Sequence, residues 1–200
     1  MDFDNTIQVM QNMGFKVVRQ GKKILKKKKK LTKRRTLYKG FNYNVNKSKK
    51  GVELEFVFGK ASNYWQFVDE GVKGAGGYKG SGKGRGRGSK FRFGSGKAKG
   101  DWQDFKTSIK KWIKNKPLRL RGSGGKFIEK SQTNINSVAF LIQRAIYQRG
   151  LERTQFFSKP FESVVEDNIN TIGEAFSKDV ENELESILEN INIEIIVKKE

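Results

Sequence analysis

Between Gly71 and Gly100, twelve of thirty residues are glycine, and lysine and arginine fill much of the rest. No other stretch limits the fold so strongly. The run Lys83-Gly84-Arg85-Gly86-Arg87-Gly88 holds no apolar side chain, so nothing in it can anchor a core. An extended, mobile loop or arm is expected there. Only Phe91-Arg92-Phe93 reads as strand-like. The core must come from the segments on either side.

Those segments are strongly periodic. Phe3, Met10, Val17, Ile24 and Leu31 recur at every seventh position, and Ile7, Val18 and Leu25 widen the seam into an amphipathic helix. Gly14 and Gly21 each cost a helix interior about 1 kcal/mol against alanine, so a break is expected near either. Phe41–Val45 alternates apolar and polar, Asn46–Gly51 supplies turn residues, and Val52–Phe58 alternates again, which predicts a β-hairpin with one face on a core. Ser62 is placed to cap a short helix carrying Tyr64, Trp65, Phe67 and Val68, with Gly71 ending it. Helical spacing returns through Trp102, Phe105, Ile109, Trp112 and Ile113 and stops at Pro117, before a flexible joint at Gly122–Gly125. A strong helix begins at Asn134 or Asn136 and ends at Gly150. Another runs from about Lys159 to Leu188, and Ile191, Ile193, Ile195 and Val197 alternate as a final strand.

The predicted fold class is therefore α+β, with helices packed on a small antiparallel sheet and a long basic Gly-rich loop. Residues 1–200 read as a single domain. A basic helix, hairpin and short helix occupy 1–70, the loop or arm 71–100, an inserted helix and linker 101–130, and C-terminal helices with the final strand 131–200.

Charge divides along the chain as sharply as glycine does. Residues 1–130 carry a net +26 and residues 131–200 a net −5, which together make the +21 of the whole. Lys26, Lys27, Lys28, Lys29 and Lys30 fall at the end of the first helix, where cations suit the helix dipole. They serve either as a solvated helix end or as a polyanion contact. In the loop, Lys83, Arg85, Arg87, Lys90 and Arg92 can follow phosphates while Phe91 or Phe93 stacks on a base. An arm wrapping a neighbouring subunit is the other reading, and the two are compatible. A Walker-type phosphate loop is rejected, since Gly74–Lys79 lacks the G-x-x-x-x-G-K-[ST] spacing.

The absence of cysteine and histidine removes disulfides, Cys/His zinc sites, thiol nucleophiles and Ser-His-Asp triads. Asp69-Glu70 and Asp101 with Asp104 read as helix-end carboxylates, so no catalytic residue, metal ligand or cofactor is expected. The acidic start Met1-Asp2-Phe3-Asp4 carries no signal-peptide pattern, and no apolar run reaches the roughly eighteen residues of a bilayer span, so no membrane partner is expected.

Two segments carry a resemblance. Tyr64-Trp65-Gln66-Phe67-Val68-Asp69-Glu70-Gly71-Val72-Lys73-Gly74 resembles the Y-x-x-(F/Y)-V-E-x-G-T-x-G segment of bacteriophage tail-completion (head-to-tail joining, neck) proteins. Arg149-Gly150-Leu151-Glu152-Arg153-Thr154-Gln155-Phe156-Phe157-Ser158-Lys159-Pro160-Phe161 is similar to their G-I-x-x-T-x-F-F-x-x-A-F link before the last long helix. The resemblance covers roughly residues 5–197 in matching order. The loop is longer and more basic than the family pattern, and residues 100–130 look inserted.

The resemblance implies a non-catalytic virion protein, assembled in the host cytoplasm. It would be a subunit of a sixfold or twelvefold homo-oligomeric ring in the head–tail connector or tail, joining portal-side and tail-side proteins around the DNA channel. Packaged double-stranded DNA would meet the basic residues through its backbone, without base readout. Tyr64, Trp65, Phe67, Phe156, Phe157 and Phe161 are expected as subunit-packing residues. The alternative is a cellular, sequence-nonspecific RNA- or DNA-binding basic protein.

Overall fold

The computed structural model describes residues 3–29, 36–48, 51–76, 86, 88–94, 102–115 and 119–197. Their contacts fall into two compact units, one made of residues 1–65 with 154–200 and the other of the continuous stretch 66–153.

The first unit is built on two long helices, α1 (Asp4–Lys29) and α6 (Ser158–Val197). Between them in sequence come a short helix α2 (Thr36–Gly40), an antiparallel hairpin of β1 (Asn42–Ser48) and β2 (Gly51–Val57), and a 3-10 turn at Gly59–Ala61. Of the apolar seam, Val17, Val18 and Leu25 are buried and Phe3, Ile7, Met10 and Ile24 are half-buried, while Leu31 lies outside the described residues; Met13, not part of the seam as read, is buried with them. The helix does not break at its glycines. A Cβ on Gly14 would stand 2.4 Å from the Tyr43 ring, and one on Gly21 would stand 2.5 Å from the Phe156 carbonyl oxygen. Both glycines are where neighbours lie directly on the helix backbone, and close packing offsets their propensity cost.

At one end of this unit seven aromatic rings interlock. Phe58 stacks between Phe41 (5.1 Å between centroids) and Trp65 (4.1 Å), while Phe156 and Phe157 meet Phe41 and Phe58 edge-on. Phe56 meets both Phe157 and Phe161. Offset and edge-to-face pairs of this kind add to the stabilisation from burying the rings.

The predicted final strand is helical. α6 continues to Val197, about 60 Å at 1.5 Å per residue. Ile191, Ile193, Ile195 and Val197 alternate, but Ile187, Ile191 and Ile195 also repeat at every fourth position. With no glycine or proline after Gly173 to stop it, adding a residue to an established helix is easier than starting a strand.

In the second unit α4 (Trp102–Asn115) packs on α5 (Gln132–Arg149). Ile109, Ile113, Leu120, Ile135 and Ala139 form the core of that contact, with Phe105, Ile128, Val138, Ile142 and Ile146 around it. The expected flexible joint at Gly122–Gly125 is instead the turn of a small hairpin, β4 (Leu120–Arg121) with β5 (Phe127–Ile128), closed by Gly122 N–H donating to Lys126 O. Gly125 takes the left-handed conformation this turn needs (φ +74). The cap of α5 is Ser131 rather than Asn134 or Asn136. Its hydroxyl accepts from Asn134 N–H, and the Asn134 amide turns back to donate to Glu129 O. α3 (Trp65–Glu70) starts at the boundary between the units and ends, as read, at Gly71 with φ +73.

The described part of the glycine-rich segment is packed. β3 (Val72–Lys73) pairs antiparallel with β6 (Gly150–Leu151), and Arg92 bridges Lys73 on the other side. Ser89 Oγ donates to Gly71 O and accepts from Phe91 N–H, holding the return of the chain. A Cβ on Gly74 would lie 2.0 Å from Gln148 O, and one on Gly86 would lie 2.4 Å from the Val72 carbonyl carbon. Here glycine lets backbones touch.

Candidate polyanion-binding site

The stretch of α1 from Phe15 to Lys26 places Phe15, Val18, Arg19, Lys22 and Lys26 at helical spacing on one stripe, with Lys23 beside it. α2 and β1 bring Tyr38, Asn42 and Tyr43 up to that stripe. Together these nine residues line a cleft of about 470 Å³. Its charged lining residues are all cationic: Arg19, Lys22, Lys23 and Lys26.

Gly14 makes room for Tyr43, one of the lining residues. With no side chain there, the Tyr43 ring settles against the helix backbone. Opposite, the Lys22 ammonium lies 5.7 Å from the centre of the Tyr38 ring, a cation–π arrangement. Burial pushes the Lys22 amine below its ordinary value, because a desolvated ammonium is costly until an anion meets it. Phe15 stands half-exposed at the edge. The cleft thus combines clustered positive charge with aromatic faces.

Of the lysines read as polyanion contacts, Lys26, Lys27 and Lys28 are exposed on the last turns of α1, next to the cleft, and Lys29 ends the helix. Lys30, Lys83, Arg85 and Arg87 lie outside the described residues. Lys90 and Arg92 belong to the second unit and are already engaged within the chain. Lys90 Nζ pairs with Glu70 Oε1 at 3.0 Å, and Arg92 donates to Ala75 O at 3.3 Å. Both remain exposed, and the exposed ion pair is weak enough to exchange for another anion. Phe91 is packed on Phe67 at 4.5 Å and Phe93 faces Tyr147 at 5.9 Å, so neither presents a free ring to a base.

The six residues read as subunit packing separate in the same way. Phe156 is 0% exposed, and Trp65 and Phe157 are interlocked in the aromatic cluster, so these three stabilise their own chain. Phe156 in particular cannot reach a neighbour: it is fully enclosed, its ring edge-on to both Phe41 and Phe58. Tyr64, Phe67 and Phe161 remain exposed.

Arg19, Lys22, Lys23, Tyr38 and Tyr43 were not among the residues singled out from sequence. The recurrence of Phe15, Arg19, Lys22 and Lys26 on one helical stripe was the available signal, whereas the tyrosines are placed by tertiary packing alone.

Among the described residues, no group of three acidic side chains is arranged to hold a metal ion, and no helix is long and apolar enough to cross a membrane. No family model, curated protein or solved structure matches the chain.

Proposed function

We propose that this chain is a virion structural protein: a subunit of a ring in the bacteriophage head–tail connector or neck, linking portal-side and tail-side proteins around the DNA channel. The observation that carries the reading is the outer part of α6. Phe3 meets Phe176, and Asn5 and Thr6 meet Asp179, so α1 begins level with the middle of α6. Past that point Leu184 (54% exposed), Ile187 and Leu188 (59% exposed) stand open to water among Glu181, Glu185 and Glu189. An apolar helical face of this kind is what a protein neighbour covers. Heterologous contacts between such a face and a different surface on the next copy form a ring when the rotation from copy to copy closes.

The cationic cleft supports the other half of the reading, a subunit held beside DNA through phosphates and without sequence readout. A cellular nucleic-acid binder would use the same cleft, but it leaves the apolar face of α6 without a role. Negative-stain microscopy and mass photometry of the purified protein discriminate between them. Rings of uniform diameter are expected. A protein that stays monomeric at micromolar concentration, and is absent from particles that carry a portal, would sink the connector reading.

A further inference from the structure

We infer that the cleft between α1, α2 and β1 is a binding site for an unpaired nucleotide within a single strand. The base lies against Tyr38 and Tyr43, and the flanking phosphates meet Arg19, Lys22, Lys23 and Lys26. This goes beyond the connector reading, which asks only for backbone contact with a duplex.

Three observations lead to it. The first is composition of the lining: four cations and two tyrosines, with no carboxylate among the nine lining residues. A carboxylate ligand such as an acidic peptide needs the cations but has no use for two aromatic rings, whereas every base has a π-face that stacks on them. The second is shape. A cleft of about 470 Å³ falls within the range of small-molecule sites and accommodates one base with its sugar. The bases of a duplex are stacked and paired, so it can offer this cleft only its backbone. The third is the state of Lys22. Its ammonium is partly desolvated and lies over the Tyr38 ring, 5.7 Å from the centroid. An incoming phosphate gives that charge a better partner and leaves the ring face to the base.

The test uses the full chain and fluorescence anisotropy with four probes of equal anionic charge: a twelve-residue oligothymidine, an abasic strand, a short duplex and polyglutamate. The expected order places oligothymidine at least fivefold tighter than the abasic strand, since base–aromatic stacking contributes about that much or more per base. Tyr38→Ala should lower the ratio of oligothymidine to abasic-strand affinity at least twofold, and Tyr38→Phe should retain that ratio. Arg19→Gln with Lys23→Gln should weaken both strands alike. Photo-crosslinking of the unmutated protein to a 4-thiothymidine strand should label Tyr38 or Tyr43, a readout that does not depend on any variant folding.

Equal affinity for oligothymidine and the abasic strand overturns the proposal, as does polyglutamate binding as tightly as oligothymidine, or a crosslink confined to other segments. Rings that form normally alongside base-independent binding would overturn this inference alone. Base-dependent binding by a protein that never assembles would overturn the connector reading alone.

Discussion

The carboxylate of Asp179, on α6, accepts from both the backbone N–H (2.9 Å) and the hydroxyl (2.6 Å) of Thr6 in the first turn of α1. Asn5 adds its own N–H and side-chain amide to the other oxygen at 3.1 and 2.9 Å. The first turn of any helix leaves N–H groups without partners. Here a buried side chain from the far end of the chain supplies the acceptor, with a negative charge that also suits the helix dipole. Asp179→Ala removes the acceptor from four donors and should destabilise the first unit by about 3 kcal/mol, against about 1–2 kcal/mol for Asp179→Asn. Urea unfolding followed by circular dichroism measures both.

The same carboxylate makes stability depend on acid. Burial alone would raise its pKa, but the hydrogen bonds from Thr6 and Asn5 outweigh that and hold it below the ordinary value. A depressed carboxyl contributes stability that is fully present above the unfolded-state value near 4 and is lost as pH falls through the folded value. The difference in melting temperature between the unmutated chain and Asp179→Asn should therefore be constant from pH 7 to about 5 and shrink below about 4. A difference that widens on acidification would contradict the assignment.

Gly21→Ala sets helix propensity against packing. Propensity alone stabilises α1 by about 1 kcal/mol. The structure puts the new Cβ 2.5 Å from the Phe156 carbonyl oxygen and 2.6 Å from the Phe41 ring, and a backbone atom cannot step aside as a flexible side-chain tip can. A net loss of about 1–3 kcal/mol is expected, read as a lowered urea midpoint with the slope unchanged.

Phe156→Ala and Leu184→Lys should act on different properties. Phe156 is fully enclosed by its own chain, so truncation should cost about 3–5 kcal/mol of stability. Leu184 is exposed, so Leu184→Lys combined with Leu188→Lys should leave the melting temperature within about 1 °C while abolishing assembly. Thermal melts and mass photometry on the same samples separate the two effects.

Where one periodicity had no rival, the chain was readable before it was folded. The α1 seam, the hairpin and the α4–α5 pair all follow from apolar spacing. Difficulties arose where a residue type serves two physical ends. Glycine breaks helices, yet Gly14 and Gly21 sit inside α1 because Tyr43 and the Phe156 backbone need the room. Alternating isoleucines fit a strand, yet from Ile187 to Ile195 they also fit a helix already under way. For the site, Lys26–Lys28 are visible as a run, but the cleft they adjoin is made by Tyr38 and Tyr43, whose approach to Arg19 and Lys22 depends on how α2 and β1 fold back.

The first unit joins both ends of the chain, and the second is a continuous stretch between them. During synthesis α1 therefore leaves the ribosome with its apolar side only partly covered by the hairpin, and α6, which packs along it, follows only after residue 157. At cellular elongation rates that interval is on the order of ten seconds. Over those seconds the newborn chain carries a greasy stripe and a dense cationic tip together, while residues 66–153 can complete their own core. The co-translational hazard of this protein thus falls at its first helix, and the last one to be made removes it.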